Sequence, residues 1–343
     1  MTGTASHTST VPTAAGHAAA REVVGYDVVG DVHGDLPKLE GLLTTLGYSC
    51  IDGVWGHPDR TAVFVGDLVD RGAHQVGTVQ TVRAMVEAGT ALMVLGNHEF
   101  NAMAWTVPNP DPHRKGEFVR RHKDANREQH AAFLDQVGEG SAQHHRILAW
   151  FYTLPLWLEL SLGDRRLRVV HACWHEESIA GMRPYLTDSG ALTLEGVVAA
   201  RTSGPAHDFL EVLLKGPEVH MDGRVYVMPK DIHKKPRHHA RRRWWRHDAT
   251  TLDEIGLVPS TCTELDGSPF GPLAAVPVPD GPTYRDDVPL IVGHYWASPD
   301  EIELYSPFVA CVDYSAAAGG PLVAYRWDGE AVLDVGKYVR FDG

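Results

Sequence analysis

Six residues that can bind a metal ion occupy similar places along the chain, each just past a short apolar run. They are Asp31, His33, Asp67, Asn97, His171 and His294. A single histidine or DxH triplet is weak evidence, because most histidines are ordinary core or surface residues. Six residues that share this position point instead to one common site.

Carboxylate oxygen and imidazole nitrogen suit borderline divalent ions such as Mn²⁺, Fe²⁺, Zn²⁺, Co²⁺ or Ni²⁺, and the lack of a cysteine ligand argues against a structural zinc. One carboxylate can bridge two such ions about 3.5 to 4 Å apart, an arrangement used to hydrolyse phosphate esters. Asp67, in the middle of the set, is our candidate bridge. The residues therefore predict a binuclear centre of two divalent ions, with manganese favoured.

The apolar runs before these residues are rich in β-branched side chains and predict buried strands. The predicted strands cover residues 26–29, 62–65, 92–95, 167–170 and 290–292. Leucines at 36, 39, 42, 43 and 46 predict a helix with Pro37 in its first turn, and 76–86 repeats the pattern. The chain end at 310–336 predicts strands that are joined by a glycine turn and close a sheet. Such alternation favours an α/β fold with ligand chemistry at the carboxyl edge of a sheet.

Composition is that of an ordinary globular chain of 343 residues, with 43% hydrophobic residues and a formal net charge of −13. The charge argues against nucleic-acid binding by the whole surface, and no apolar run approaches the roughly 18 residues of a membrane helix. The cysteines, at 50, 173, 262 and 311, form no CxxC pair. We therefore expect a soluble protein in a reducing cytoplasm, without a disulfide framework.

The chain divides by composition into a tail and one large domain. Residues 1–22 are rich in Ala, Thr, Ser and Gly and are predicted to be a disordered tail, and 23–343 a single domain. From about residue 181 the chain turns to Pro, Gly and charged residues. We predict that 176–287 is an inserted cap that lies over the active edge.

Five motifs carry a family resemblance: GDVHG at 30–34, GDLVDRG at 66–72, GNHE at 96–99, VVHAC around His171 and VGH ending at His294. Their order and spacing resemble the calcineurin-like metallophosphoesterase superfamily, within it the branch of serine/threonine protein phosphatases and diadenosine tetraphosphatases. CVDYSAAAGGPLVAY resembles the terminal strand pair of that branch. Other branches have a GHxH motif, whereas this chain has GHYW at 293–296 and so lacks the second histidine. The same absence is typical of the phosphatase branch. The resemblance implies an α/β sandwich of two mixed sheets flanked by helices.

The resemblance also implies a role for each residue. Asp31, His33 and Asp67 would hold one ion, and Asp67, Asn97, His171 and His294 the other. His98 would be the general acid toward the leaving oxygen, oriented by Asp70. Arg71 would clamp the phosphate, with Asn97 beside it. Hydroxide formed from a water between the ions would attack phosphorus in line.

A basic stretch at 230–247 has a net charge of +7 in this acidic chain. It is either a solvated loop or an anion-binding element. The family usually supplies a second phosphate-binding arginine from the region between its last two histidine ligands. The candidates there are Arg201, Arg241, Arg242, Arg243 and Arg246, with Lys215 as another. We favour Arg243, because Trp244 and Trp245 beside it could anchor the segment over the site.

Three functions remain open. The first is a phosphomonoesterase that acts on a phosphoprotein or a small phosphorylated metabolite. The second is a hydrolase of dinucleoside polyphosphates of the diadenosine tetraphosphate type. The third is a non-catalytic metal- or nucleic-acid-binding module, disfavoured because His98, Asp70 and Arg71 are all retained. The region between His175 and Asp287 lacks recognisable protein phosphatase sequence, which weakens the case for a phosphoprotein substrate.

Overall fold

All five apolar runs predicted as strands are strands in the computed structural model, which describes residues 23–228, 235–259, 261–298 and 300–343. The predicted tail at 1–22 and part of the basic stretch lie outside the described residues. The strands are β1 Gly25–Val29, β2 Ser49–Ile51, β3 Val54–Gly56, β4 Arg60–Phe64, β5 Ala91–Met93, β6 Trp157–Leu162, β7 Arg165–Val170, β8 Glu218–His220, β9 His239–Arg242, β10 Gly256–Leu257, β11 Leu290–Val292, β12 Leu304–Ser306, β13 Val309–Cys311, β14 Leu322–Trp327 and β15 Tyr338–Phe341.

Helices connect most of these strands, and both predicted helices are present. The helices are α1 Leu36–Thr45, α2 Gln75–Glu87, α3 Asn97–Thr106, α4 Asp124–Val137, α5 Ala142–Phe151, α6 Glu176–Met182, α7 Leu194–Arg201, α8 Pro205–Lys215 and α9 Leu252–Ile255. Asp35 caps α1 by accepting a hydrogen bond from the backbone N–H of Lys38. No helix in the described part of the chain is both long and apolar enough to cross a membrane.

Two five-stranded mixed sheets form the centre of the molecule. The first has the order β15-β14-β1-β4-β5, and the second β12-β13-β11-β7-β6. In each, three neighbouring strands are parallel: β1, β4 and β5 in the first, and β13, β11 and β7 in the second. The predicted α/β sandwich of two mixed sheets is confirmed.

Alternation along each strand divides the core into layers. Val28 and Val63 belong to a cluster that also contains Leu167 and Ile291 of the other sheet, so this cluster fills the space between the sheets. Their chain neighbours, such as Val29, belong to the larger cluster beneath the helices. Both faces of the parallel strands are therefore buried, which explains why these strands are short, nearly continuous apolar runs.

The end of the chain differs from its prediction. β13 pairs with β11 in the second sheet, whereas β14 pairs with β1 in the first. The glycine-containing link between β13 and β14 therefore crosses from one sheet to the other instead of making a hairpin. A hairpin within one sheet and a link between two sheets have the same apolar pattern and the same turn residues, so the sequence did not distinguish them.

Residues 176–287, predicted as one cap, fall into two parts. Side chains of α6, α7 and α8 belong to the main cluster under the sheets, including Ile179, Val197 and Leu213. The second part is a three-stranded sheet in the order β10-β9-β8, and it has a small core of its own that includes Val219 and Ala240.

Candidate active site

All six predicted metal ligands come together at the carboxyl ends of the parallel strands. Each is at most 9% exposed. Asp67 lies at the centre: its Oδ2 is 3.6 Å from Nε2 of His33, and its Oδ1 is 3.5 Å from Nε2 of His171. Parallel strands of both sheets end at this edge, so residues far apart in the chain converge there.

Two groups of potential metal ligands share Asp67. One consists of His33, Asp67 and His98, the other of Asp67, His171 and His294, and within each group the ligand atoms lie within 4.8 Å of one another. Asp31 is in neither group. Its carboxylate accepts the backbone N–H of His294 at 3.3 and 3.4 Å, so it lies against the turn that carries His294.

Two of the imidazoles are held through Nδ1 by a backbone carbonyl. Nδ1 of His33 donates to the carbonyl of Val69 at 2.8 Å, and Nδ1 of His171 donates to the carbonyl of Val65 at 2.7 Å. With Nδ1 as the donor, Nε2 is the ring nitrogen that faces the site. A backbone carbonyl on the far nitrogen is the usual support of a metal-binding histidine.

Burial also keeps two of the imidazoles neutral. It lowers the pKa of His33 to about 3, with help from the positive charge of Arg71. It lowers the pKa of His294 as well, and Arg241 adds to the effect. Metal ions bind the neutral form of histidine.

Strained backbone accompanies the ligands. Left-handed φ angles occur at His33 (49°), Asp67 (54°), Asp70 (71°), Arg71 (74°) and His294 (70°). Non-glycine residues rarely adopt this conformation, and it concentrates where structure is held for function. Each polar side chain leaves its strand end through a tight turn.

Glu99, missed by sequence reasoning, fixes the turn that carries Asp67. Its fully buried carboxylate accepts the backbone N–H groups of Asp67 and Leu68 at 2.8 Å each, Gly96 at 3.2 Å and Val69 at 3.3 Å. Burial and the charge of Asp67 raise the pKa of Glu99 to about 7. Its place in GNHE was visible in the sequence, but its partners were not.

A glycine allows this turn to approach the next one. Gly66 has φ 103°, and a Cβ there would lie 2.5 Å from the backbone of Gly96. A side chain would push the strand ends apart, because the obstacle is main chain. The two motifs can therefore touch only if this residue is glycine.

Asp70 holds two histidines. Its Oδ2 accepts from Nδ1 of His98 at 2.5 Å, and its Oδ1 accepts from Nδ1 of His130 at 2.6 Å. All three side chains are buried. The structure thus brings the predicted His98–Asp70 pair together and adds His130 of α4. Sequence reasoning missed His130 because it follows no strand.

Two arginines meet on Trp296. The guanidinium carbon of Arg71 lies 4.8 Å from the ring centroid and that of Arg241 lies 5.7 Å away. Arg241 also donates to the carbonyl of His294 at 3.0 Å. Stacking on an aromatic face positions a guanidinium while leaving its N–H groups free for an anion.

The structure does not bring Arg243, the favoured arginine, to this cavity. Its guanidinium donates to the carbonyls of Glu254 at 3.1 Å and Asp253 at 3.4 Å in α9. Trp244 and Trp245 beside it are buried in the main core rather than over the site. Arg241 lines the cavity instead.

Asp313, just past β13, is a second buried carboxylate that sequence reasoning did not single out. It accepts backbone N–H groups of Ser315 at 2.9 Å and Trp296 at 3.0 Å. Burial raises the pKa of Asp313. Burial also raises the pKa of Asp31, and the charges of Asp313 and Asp67 add to that effect. Asp313 therefore shapes the loop under Trp296 and adds negative charge beside the ligands.

The site opens into a cavity of about 830 Å³, which Asp67, Asn97, His98 and His294 line at one end. Among the residues that the structure describes, ten lysine or arginine side chains also line it, against the carboxylates of Asp67 and Glu218. The chain as a whole is acidic, so this concentration of positive charge is local. It gives the cavity a strong preference for anions.

Comparison with known proteins agrees with this geometry. Residues 26–190 match the family described as calcineurin-like phosphoesterase.

Curated relatives include the asymmetrical bis(5'-nucleosyl)-tetraphosphatase PrpE of Halalkalibacterium halodurans, 46% identical over 74 residues, which are 21% of this chain and 30% of that protein. The corresponding protein of Bacillus velezensis is 41% identical over 88 residues, 25% of this chain and 35% of the relative. The matches therefore span about a third of these relatives. A solved serine/threonine phosphatase from Saccharomyces cerevisiae, described as similar to human phosphatase PP5, has a TM-score of 0.48 at 15% identity, over 94% of this chain and 81% of that one.

Proposed function

We propose that this protein is a two-metal-dependent phosphoesterase that hydrolyses phosphate esters with water. The observation that carries the proposal is the position of Asp67 between two groups of imidazoles, with one carboxylate oxygen toward each. A carboxylate placed in this way can bridge two ions. Asp31, His33 and Asp67 would hold one ion, and Asp67, Asn97, His171 and His294 the other.

Two further contacts fit metal ions. Nε2 of His33 is buried and has no hydrogen-bond partner. Nε2 of His171 lies 3.0 Å from Oδ1 of Asn97, and both atoms carry lone pairs when the ring is neutral. A cation bound by both atoms accounts for this approach. The mixed oxygen and nitrogen ligands favour manganese, with Fe, Zn, Co or Ni as alternatives.

Divalent ions at this position would supply an acidified water as nucleophile and would stabilise charge on the phosphoryl oxygens. The protein's own groups would do the rest. His98, with Nδ1 held by Asp70, has its Nε2 3.8 Å from Oδ2 of Asp67 at the cavity wall. From Nε2 it would donate a proton to the leaving oxygen as the bond from phosphorus to that oxygen breaks.

The charge state of His98 suits an acid. Burial lowers its pKa, but the carboxylates of Asp67 and Asp70 outweigh burial, and the net pKa is raised. Arg71 and Arg241 would bind the phosphoryl oxygens, each oriented by Trp296. Asn97, which also lines the cavity, would assist them.

Phosphomonoesters, either phosphoproteins or small phosphorylated metabolites, are the first substrate class. Dinucleoside polyphosphates are the second, supported by the basic cavity and by the similarity to the PrpE proteins, which are named bis(5'-nucleosyl)-tetraphosphatases. A non-catalytic role is disfavoured because Asp70 contacts His98 and Arg71 lines the cavity. Four free cysteines support a reducing cytoplasm, and the three-stranded sheet with its own core supports a cap.

Metal analysis and phosphate release would test this function together. Protein reconstituted with Mn²⁺ should contain close to two ions per chain and release phosphate from p-nitrophenyl phosphate. Nucleotide products from diadenosine tetraphosphate would favour the second substrate class. A saturating content of one ion, or two ions without hydrolysis of either compound, would refute the proposal.

A further inference from the structure

One wall of the cavity carries two arginines that the chemistry above does not use. Arg120 is 4% exposed, and its Nη2 donates to Oε1 of Gln129 at 2.8 Å. Arg201 lies beside it and donates from Nη2 to Oδ1 of Asn101. Neither guanidinium makes a salt bridge with a carboxylate among the described residues.

Both guanidinium groups also retain unused hydrogen-bond donors. Nη1 of Arg120 and Nε of Arg201 are buried without a partner. Burial and the nearby charge of Arg201 lower the pKa of Arg120 to about 10, against a weaker opposing effect of Asp70. Arg120 is buried and Arg201 is half-buried, and the carboxylates of Asp70 and Glu211 act on them only at a distance. Desolvated cations without a direct ion pair destabilise a fold, and an anion bound between them would offset that cost.

Helix α3 sets the distance from these arginines to the metal ligands. Asn97, Asn101 and Trp105 recur every four residues, so they share one face of the helix. Arg201 is bonded to Asn101, and the guanidinium carbon of Arg120 is 5.9 Å from the ring centroid of Trp105. Four residues of helix rise about 6 Å. The two arginines therefore lie one and two helical turns from Asn97, along the same cavity.

We propose that Arg120 and Arg201 form a second anion subsite, which binds a phosphate group on the leaving part of the substrate. The preferred substrates would then carry at least two phosphate groups, one at the metal ligands and another about 6 to 12 Å along α3. A linear phosphoanhydride chain and a metabolite with two separate phosphomonoesters both meet this requirement. The inference rests on the proposed function, since it divides substrate into a reacting and a leaving part.

Relative specificity would test the subsite. The probes are p-nitrophenyl phosphate, inorganic tripolyphosphate and fructose 1,6-bisphosphate, with wild type, Arg201→Gln and Arg201→Lys. Arg201→Gln should lower kcat/KM for at least one of the two larger probes by about 10- to 100-fold more than for p-nitrophenyl phosphate, the factor that loss of a charge-assisted hydrogen bond predicts. Arg201→Lys should recover part of the loss. Whichever larger probe is affected identifies the source of the second phosphate.

The control is Arg83→Gln, which removes one positive charge from an exposed pair with Glu87 on α2 and should leave the ratios unchanged. Equal loss for all three probes would make Arg201 a structural residue, and unchanged kcat/KM values for all three would show that no second phosphate binds there. Either result would overturn the inference.

A binding experiment separates this inference from the proposed function. In an Asp67→Asn background, calorimetric titration with tripolyphosphate should give a Kd about 10- to 100-fold weaker when Arg201→Gln or Arg120→Gln is added. Equal Kd values in folded variants, checked by thermal unfolding, would refute the subsite. Absence of turnover in the wild type, with the Kd difference intact, would refute only the phosphoesterase.

Discussion

Nδ1 of His98 lies 2.5 Å from Oδ2 of Asp70, and both side chains are buried. The other oxygen of the same carboxylate is occupied by His130 at 2.6 Å. With both oxygens engaged, Asp70 cannot rotate away from His98 without losing a buried hydrogen bond. The pair therefore fixes the ring, and Nε2 of His98 is the nitrogen left to face the substrate.

Comparison of His98→Asn with Asp67→Asn separates acid catalysis from metal binding. Loss of the acid should lower kcat by roughly 10²- to 10⁴-fold with the metal content near wild type, whereas loss of Asp67 should deplete the metals. The His98→Asn defect should shrink for p-nitrophenyl phosphate, whose leaving group needs little protonation, and stay large for alkyl phosphates. Steady-state kinetics and metal analysis give both quantities. Metal loss in His98→Asn, or equal slowing of both esters, would contradict the assignment.

Arg241 and Arg243 form a matched pair, because they lie two residues apart and only Arg241 lines the cavity. Arg241→Gln should lower kcat/KM by about 10- to 100-fold, since a charge-assisted hydrogen bond to the phosphoryl group is lost. Arg243→Gln also removes one positive charge, but the contacts it loses are with carbonyls of α9. Its kcat/KM should therefore stay close to wild type. The reverse ranking in kcat/KM would restore Arg243 as the phosphate-binding residue.

Glu99→Gln should destabilise the protein and weaken metal binding together. The carboxylate accepts four backbone N–H groups around Asp67, two on each oxygen. In glutamine an NH₂ group replaces one oxygen and cannot accept the two N–H groups bound there. Each buried N–H left without an acceptor costs about 1 to 3 kcal/mol. Thermal unfolding and metal content are the measurements, with the exposed Glu87→Gln as control. A wild-type melting temperature for Glu99→Gln would show that the turn does not depend on this carboxylate.

Asp27→Ala tests the sheet away from the site. Asp27 is fully buried in β1 and bonded to Nε of Arg60 in β4 at 3.0 Å and Nε of Arg326 in β14 at 2.9 Å. Its removal leaves Arg60 paired with the partly exposed Asp328 and should lower the free energy of unfolding by about 1 to 3 kcal/mol, measured with urea. Asp59→Asn, at an exposed carboxylate paired with His57, should have little effect. Similar unfolding curves for the two variants would contradict this role.

The sequence alone predicted which residues converge at the candidate site, because each follows a local rule. A polar residue just past a buried strand lies at the carboxyl edge of the sheet whatever the rest of the chain does. Asp67 and His171 are 104 residues apart in sequence, yet both could be assigned from the apolar run before them. The same rule predicted the five strands and the α/β class.

Side-chain direction and long-range contacts were decided only by the tertiary structure. β9 ends at Arg242, so the alternation of strand side chains that includes Arg241 does not continue to Arg243. His130 reaches Asp70 from α4 across 60 residues, and no local pattern marks such a contact. Likewise, β13 and β14 have the pattern of a hairpin but belong to different sheets. Burial of both sheet faces requires only that the residues of a strand are apolar, and packing then decides which strand is its partner.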